Sequence, residues 1–281
     1  MTAVSEAPHY VHDNLSVQDV GAVRVLRIDR EDKLGAFSSP LIAAIGAEIV
    51  RVRQMPEVRV LVLTGTGRGF VSGADISEYS TATKEEFAEY QRKSREIFDA
   101  LERLPQITVA AVNGFAFGGG FEIALCCDFI LAAENARFGL PEINLGLYPG
   151  GGGPQRLSRE VGARWTKDVV ISGRTVKPAE LLERGIVSRI LESADFHADA
   201  LAFAASIARK APAAAWEAKR LIDGGRTQDI SGALTNDQVA LAGLFSSPDG
   251  QEGIRAFIEK RTPVFESTTR EIGSATSGAT S

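Results

Sequence analysis

Residues 113–157, NGFAFGGGFEIALCCDFILAAENARFGLPEINLGLYPGGGGPQRL, decide the fold of this chain. The segment just before them, ITVAAV at 107–112, is a short unbroken apolar run, as expected of a strand buried on both faces. Gly118-Gly119-Gly120 then turns into a short helix expected over 121–127, and residues 129–132 return as a second buried strand. Strand, glycine turn, helix and strand in this order predict an α/β sheet architecture. The N–H groups at a helix start are unpaired, and the helix dipole adds partial positive charge there. The turn therefore reads either as a cradle for a developing oxyanion or as glycines that only allow close strand–helix packing.

Two glutamates lie in this stretch, each beside apolar and glycine-bearing sequence: Gly120-Phe121-Glu122-Ile123 and Leu140-Pro141-Glu142-Ile143. A carboxylate in such a setting must be hydrogen-bonded, paired or functional, because a lone buried charge is costly. If both share one site they titrate as a coupled pair, and one holds a proton near neutral pH, which suits general acid–base addition of water. The alternative is two separate, partly solvated side chains. Gly150-Gly151-Gly152-Gly153-Pro154 leads into another helix and either shapes a pocket wall or reverses the chain.

Working outward, residues 15–20 and 22–29 flank Gly21 as a hairpin. Ser39 and Pro40 open a helix as N-cap and first position, with Leu41, Ile45, Ile49 and Val52 at helical spacing. Residues 58–63 form a strand, and 64–69 a glycine-rich turn that lacks the Lys-Ser/Thr ending of a phosphate loop. Thr83 and Glu86 make a capping box for a long helix closed by Pro105. Gly73-Ala74-Asp75 follows a strand and can present a second N–H, while the Asp75 side chain reads as a helix cap. Beyond residue 150 a short strand is expected at 187–191, and helices at 194–210, 213–223, 232–245 and 251–260.

The 281 residues carry a net charge of −5, which argues against a nucleic-acid surface built on bulk positive charge. Cys126 and Cys127 are adjacent and supply neither a disulfide framework nor metal-ligand spacing, so no metal site is expected. His9, His12 and His197 lie away from the glycine turns, which leaves little to build a Ser-His-Asp triad from. No stretch approaches the roughly 20 apolar residues of a membrane span. No basic region leads into an apolar run at the N-terminus, so a cytoplasmic protein is expected.

The 113–157 stretch resembles the enoyl-CoA hydratase/isomerase (crotonase) family, with weaker similarity over roughly residues 15–265. The resemblance implies a crotonase-like spiral of ββα units over 14–195 and a helical trimerisation region over 196–266. These lie between a loose lead-in at 1–13 and a disordered tail at 267–281. It implies a homotrimer or homohexamer acting on an acyl-CoA thioester, with coenzyme A as part of the substrate and no separate cofactor. By the family pattern the N–H groups of Ala74 and Gly119 form the oxyanion hole. Glu142 exchanges the proton at the α carbon, Glu122 holds and polarises the attacking water, and Gly150 helps position it. Coenzyme A is expected across Lys33, Leu34, Gly73, Ala74, Asp75 and Ile76, and against Phe257 and Lys260 of a neighbouring copy; ordinary solvated lysines remain the other reading of Lys33 and Lys260. Gly35 and Leu140 depart from the commoner asparagine and glutamine without removing a carboxylate. Rival readings within the family are an enoyl-CoA isomerase, which needs one shuttling carboxylate, and a hydratase/lyase, in which Tyr79 meets a substrate phenol and Tyr148 lies near the glycine run. A rival of another class is a non-catalytic RNA- or protein-binding relative, which the acidic balance disfavours.

Overall fold

A computed structural model describes residues 7–267. The expected tail lies, but for Ser267, outside the described residues. The first strands are β1 (His9–His12), β2 (Leu15–Val20) and β3 (Val23–Ile28), paired antiparallel in that order. The expected loose lead-in is thus corrected in part: residues 9–12 form an edge strand whose Tyr10 hydroxyl bonds Asp29. Helix α1 (Ser39–Arg53) follows. Its N-cap is Ser38, one residue earlier than expected, whose hydroxyl accepts from the Leu41 N–H at 3.4 Å.

Three turns of a ββ spiral come next. Strands β4 (Val60–Gly65), β6 (Ile107–Val112) and β8 (Phe129–Ala133) lie side by side and parallel, and extend the first three strands into a seven-stranded sheet. Strands β5 (Gly69–Val71), β7 (Phe115–Phe117) and β9 (Arg137–Gly139) form a second, three-stranded parallel sheet. Helix α2 (Lys84–Glu102) follows β5, and α3 (Gly119–Ala124) follows β7. The capping box at Thr83 and Glu86 is present, with both reciprocal hydrogen bonds made. Then come α4 (Gly153–Val161), α5 (Ala163–Ser172), α6 (Pro178–Glu183), and β10 (Arg189–Leu191), which completes the large sheet beside β8. Helices α7 (Phe196–Ala208), α8 (Pro212–Gly225), α9 (Ile230–Ser246) and α10 (Pro248–Ile258) end the described chain.

The chain steps from the large sheet to the small one through tight corners, and Asn113 staples two of them together. Its amide oxygen accepts from the Gly65 N–H at 2.9 Å, and its nitrogen donates to the Gly67 and Gly69 carbonyls, each at 3.0 Å. The side chain is buried, so these three bonds replace water that the corner excludes. The core fills with fully covered strand residues such as Val60, Leu61, Val109 and Leu131, packed under α1 and α7.

Asn113→Ala removes all three bonds and leaves the corner groups unpaired inside the fold. It should lower unfolding stability by about 3 kcal/mol or more, read from urea denaturation. The near-isosteric Asn113→Asp, which sets a carboxylate against two carbonyls, should fare no better.

Candidate active site

The carboxyl ends of the parallel strands open on a cavity of about 150 Å³. Glu122 enters it from α3, and its side chain is almost wholly covered, with 3% of the residue exposed. One carboxylate oxygen accepts from the Gly153 N–H at 2.9 Å, at the first turn of α4. Burial raises the Glu122 pKa, opposed by the backbone N–H groups of Gly153, Gly151 and Gly152 and by Arg156. The glycine run is therefore a wall against the carboxylate. A Cβ at Gly151 would lie 2.6 Å from Glu122 Oε2, and one at Gly153 would lie 2.9 Å from its Cγ.

Glu142 comes from the 3-10 turn Pro141–Leu145, which follows β9. One of its oxygens, Oε2, is buried without a hydrogen-bond partner. Burial, with a smaller contribution from the nearby Glu122 charge, pushes its pKa up to about 7. Gly118 lies directly beneath it: a Cβ there would meet Glu142 Oε1 at 2.7 Å, and φ is +52°. Close approach and backbone conformation both demand glycine at this position.

Two backbone N–H groups border the same cavity. Phe37 bridges to the Ala74 position, donating to the Gly73 carbonyl at 2.8 Å and accepting from the Asp75 N–H at 2.8 Å. In that pairing the Ala74 N–H turns to the opposite side of its strand. Gly119 is the first residue of α3, where a helix offers no internal acceptor. Ala74, Gly119, Glu122 and Glu142 thus line one space.

Of the other residues singled out from the sequence, Gly73, Ile76 and Gly150 also line the cavity, as do Tyr79 and Tyr148. Asp75 caps the short turn Ile76–Glu78 through the Ser77 N–H and pairs with Arg30 at 2.8 Å. Lys33 and Leu34 sit beside the site: their carbonyls accept from Ser72, the hydroxyl at 3.1 Å and the N–H at 3.1 Å. Phe257 and Lys260, at and just beyond the end of α10, are not among the lining residues, and Phe257 is 85% exposed. His197 is equally apart, held near Arg27 with its pKa pushed down to about 4 by burial and that charge. Tyr90, Gln91, Ser94 and Phe98 of α2 line the cavity without having been picked out as site residues. Their 3.6-residue spacing marks one helix face but not whether that face meets core or cavity.

A larger cavity, about 780 Å³, lies beneath α8. Of its acidic groups, Glu102 and Asp128 pair with Arg156 and Lys219 at 2.8 and 2.9 Å and Glu160 pairs with Arg226, while burial raises the pKa of Asp223.

A spiral of paired strands followed by C-terminal helices defines a fold of the crotonase type. The sequence matches the enoyl-CoA hydratase/isomerase family over residues 19–268, and the chain belongs to that family. It is 38% identical over 250 residues to the short-chain-enoyl-CoA hydratase of Clostridium acetobutylicum, covering 89% of this chain and 96% of that protein. It is 35% identical to the 2,3-dehydroadipyl-CoA hydratase of Escherichia coli, covering 87% and 95%. The crystal structure of an enoyl-CoA hydratase from Bacillus anthracis superposes with a TM-score of 0.87 at 34% identity, covering 90% of this chain and 99% of that one.

The raised Glu142 pKa has a consequence for stability. Between the ordinary carboxylate value and about 7 the folded chain binds more protons than the unfolded chain. Stability is therefore lost as pH rises through that window. Glu142→Gln should be more stable than the parent above pH 7, by about 1–3 kcal/mol, and should show no such gain at pH 4. Thermal melts across this range test the sign.

Proposed function

We propose that the chain is an enoyl-CoA hydratase, adding water to a trans-2-enoyl-CoA to give the 3-hydroxyacyl-CoA. The observation that carries this reading is the meeting of Glu122 and Glu142 with the two backbone N–H donors in one cavity. The thioester oxygen sits between the Ala74 and Gly119 N–H groups, which draw electron density from the double bond and make the β carbon electrophilic. Water held by Glu122 and by the backbone near Gly150 attacks that carbon. Its proton passes to Glu122, while Glu142, protonated at the start, delivers its own proton to the α carbon as the enolate collapses. The pair begins and ends with one proton, so one H and one OH are added in sum. Burial of both groups favours this singly protonated state near neutral pH. A single-carboxylate isomerase would gain nothing from the N–H groups that fix Glu122.

The same reading assigns coenzyme A to the segment Gly73, Ala74, Asp75 and Ile76 with Lys33 and Leu34, and to Phe257 and Lys260 of a neighbouring copy, as part of the substrate and with no further cofactor. A homotrimer or homohexamer is supported by the apolar side chains that α9 leaves uncovered, among them Leu234, Leu241 and Phe245. Among the described residues no helix is long and apolar enough to cross a membrane. A cytoplasmic location is part of the same proposal. The relatives' names point to different acyl groups, so the acyl preference must come from this chain's own pocket.

Glu122→Gln and Glu142→Gln should each cut crotonyl-CoA hydration by at least 100-fold, followed by loss of the conjugated-thioester absorbance, while coenzyme A binding persists. Near-parental turnover in either variant would refute the assignment. For the parent, kcat/KM should fall as pH rises above about 7, because the pair then loses its proton. A pH-independent kcat/KM between 6 and 9 would contradict the acid role of Glu142.

A further inference from the structure

The wall that α2 gives the cavity is not apolar. Along it run Phe87, Tyr90, Gln91, Ser94 and Phe98, which the helical repeat brings to one face. Tyr79 packs edge-on against Phe87 at 5.0 Å and Tyr90 at 5.5 Å between ring centres. The Tyr79 and Tyr90 hydroxyls interact with one another, and Tyr90 also approaches Ser94. Ser94 Oγ is buried, with the residue 7% exposed, and makes no hydrogen bond of good geometry. Three hydroxyl-bearing residues therefore line a small space that they share with the Gln91 amide, two carboxyls, aromatic rings and the aliphatic side chains of Ile76, Leu145 and Leu147.

Three kinds of acyl group can be weighed against this wall. A plain hydrocarbon chain would pack on the rings and on Ile76, Leu145 and Leu147 but would strip water from the hydroxyls without replacing its hydrogen bonds. A carboxylate would find no Lys or Arg among the described lining residues and would face Glu122 and Glu142. A cation would hold Glu142 ionised and remove the proton the α carbon needs. An uncharged donor or acceptor satisfies the hydroxyls and leaves the pair undisturbed. The volume, about 150 Å³, is well below the roughly 300–1,000 Å³ of drug-sized sites, which fits a short group.

We propose that Tyr79, Tyr90 and Ser94 form an acyl-recognition cluster, which selects short enoyl thioesters ending in an uncharged hydrogen-bonding group such as a hydroxyl or amide. The inference rests on the hydratase reading and gives its substrate class.

The test compares isosteric thioesters: 4-hydroxybut-2-enoyl-CoA against pent-2-enoyl-CoA, and 6-hydroxyhex-2-enoyl-CoA against hept-2-enoyl-CoA, with glutaconyl-CoA as the charged member. The parent should favour the hydroxylated partner in at least one pair by roughly two- to tenfold in kcat/KM, the span one neutral hydrogen bond commands. Glutaconyl-CoA should be the poorest of the short substrates. Ser94→Ala and Tyr90→Phe should bring the ratio toward one, a readout that general loss of activity does not move. A parental ratio of one or less in both pairs, a ratio unchanged in both variants, or a preference for glutaconyl-CoA overturns the proposal. If no thioester is hydrated, the hydratase reading itself falls. The ratio of dissociation constants for 4-hydroxybutanoyl-CoA and pentanoyl-CoA then still decides the pocket, by the same criterion.

Discussion

The hydrogen bond from the Gly153 N–H to the Glu122 carboxylate is the contact on which the site depends. A carboxylate this covered would be untenable without compensation, and the compensation comes from the start of a nine-residue helix. Its unpaired N–H groups and dipole supply donors and positive potential without a cation at the carboxylate. That choice dictates the sequence around it. The backbone at 151–153 comes so close to Glu122 that side chains cannot be placed at Gly151 or Gly153. The polyglycine run and the glutamate, far apart in sequence, are two halves of one contact.

Glu142 is managed differently. It has no such donor array, and its proton affinity rises chiefly through burial. The two carboxyls thus differ in how they are satisfied rather than in chemical type: Glu122 meets the Gly153 N–H, and Glu142 keeps a buried oxygen without a partner. The protein gives up stability to hold Glu142 in this state, a common arrangement where function and packing conflict.

The legibility of the sequence followed the range of the forces involved. Strands β4, β6 and β8 were evident as apolar runs, interrupted only by Arg59 ahead of β4, because they are buried on both faces. The capping box at Thr83 was evident because it is local. Strands β7 and β9 were not, since each has three residues and exists through pairing with segments tens of residues away, and β5 was legible only as a strand ahead of Gly73. The edge strand β1 depends likewise on its partner. Glu122 and Glu142 stood out as charges in apolar, glycine-bearing surroundings, and the cavity contains both. Asn113 carried one signal, a polar residue ending an apolar strand, but its three partners lie 44–48 residues upstream and are invisible to local pattern. The cavity face of α2 gave no signal of its own, because periodicity reports which residues share a side and not what that side meets.

Glu122 stands on α3 and Glu142 on the turn after β9, while Gly119 opens α3 and Ala74 follows β5. Helix α2 supplies none of these. It leans on α1, where Ile97 closes over Gly46, and is tied at its start by its own cap. The two carboxyls and the α2 wall of the cavity are therefore separate pieces of chain. Side chains along that one helix can therefore be exchanged without replacing either carboxyl or the glycines that crowd them.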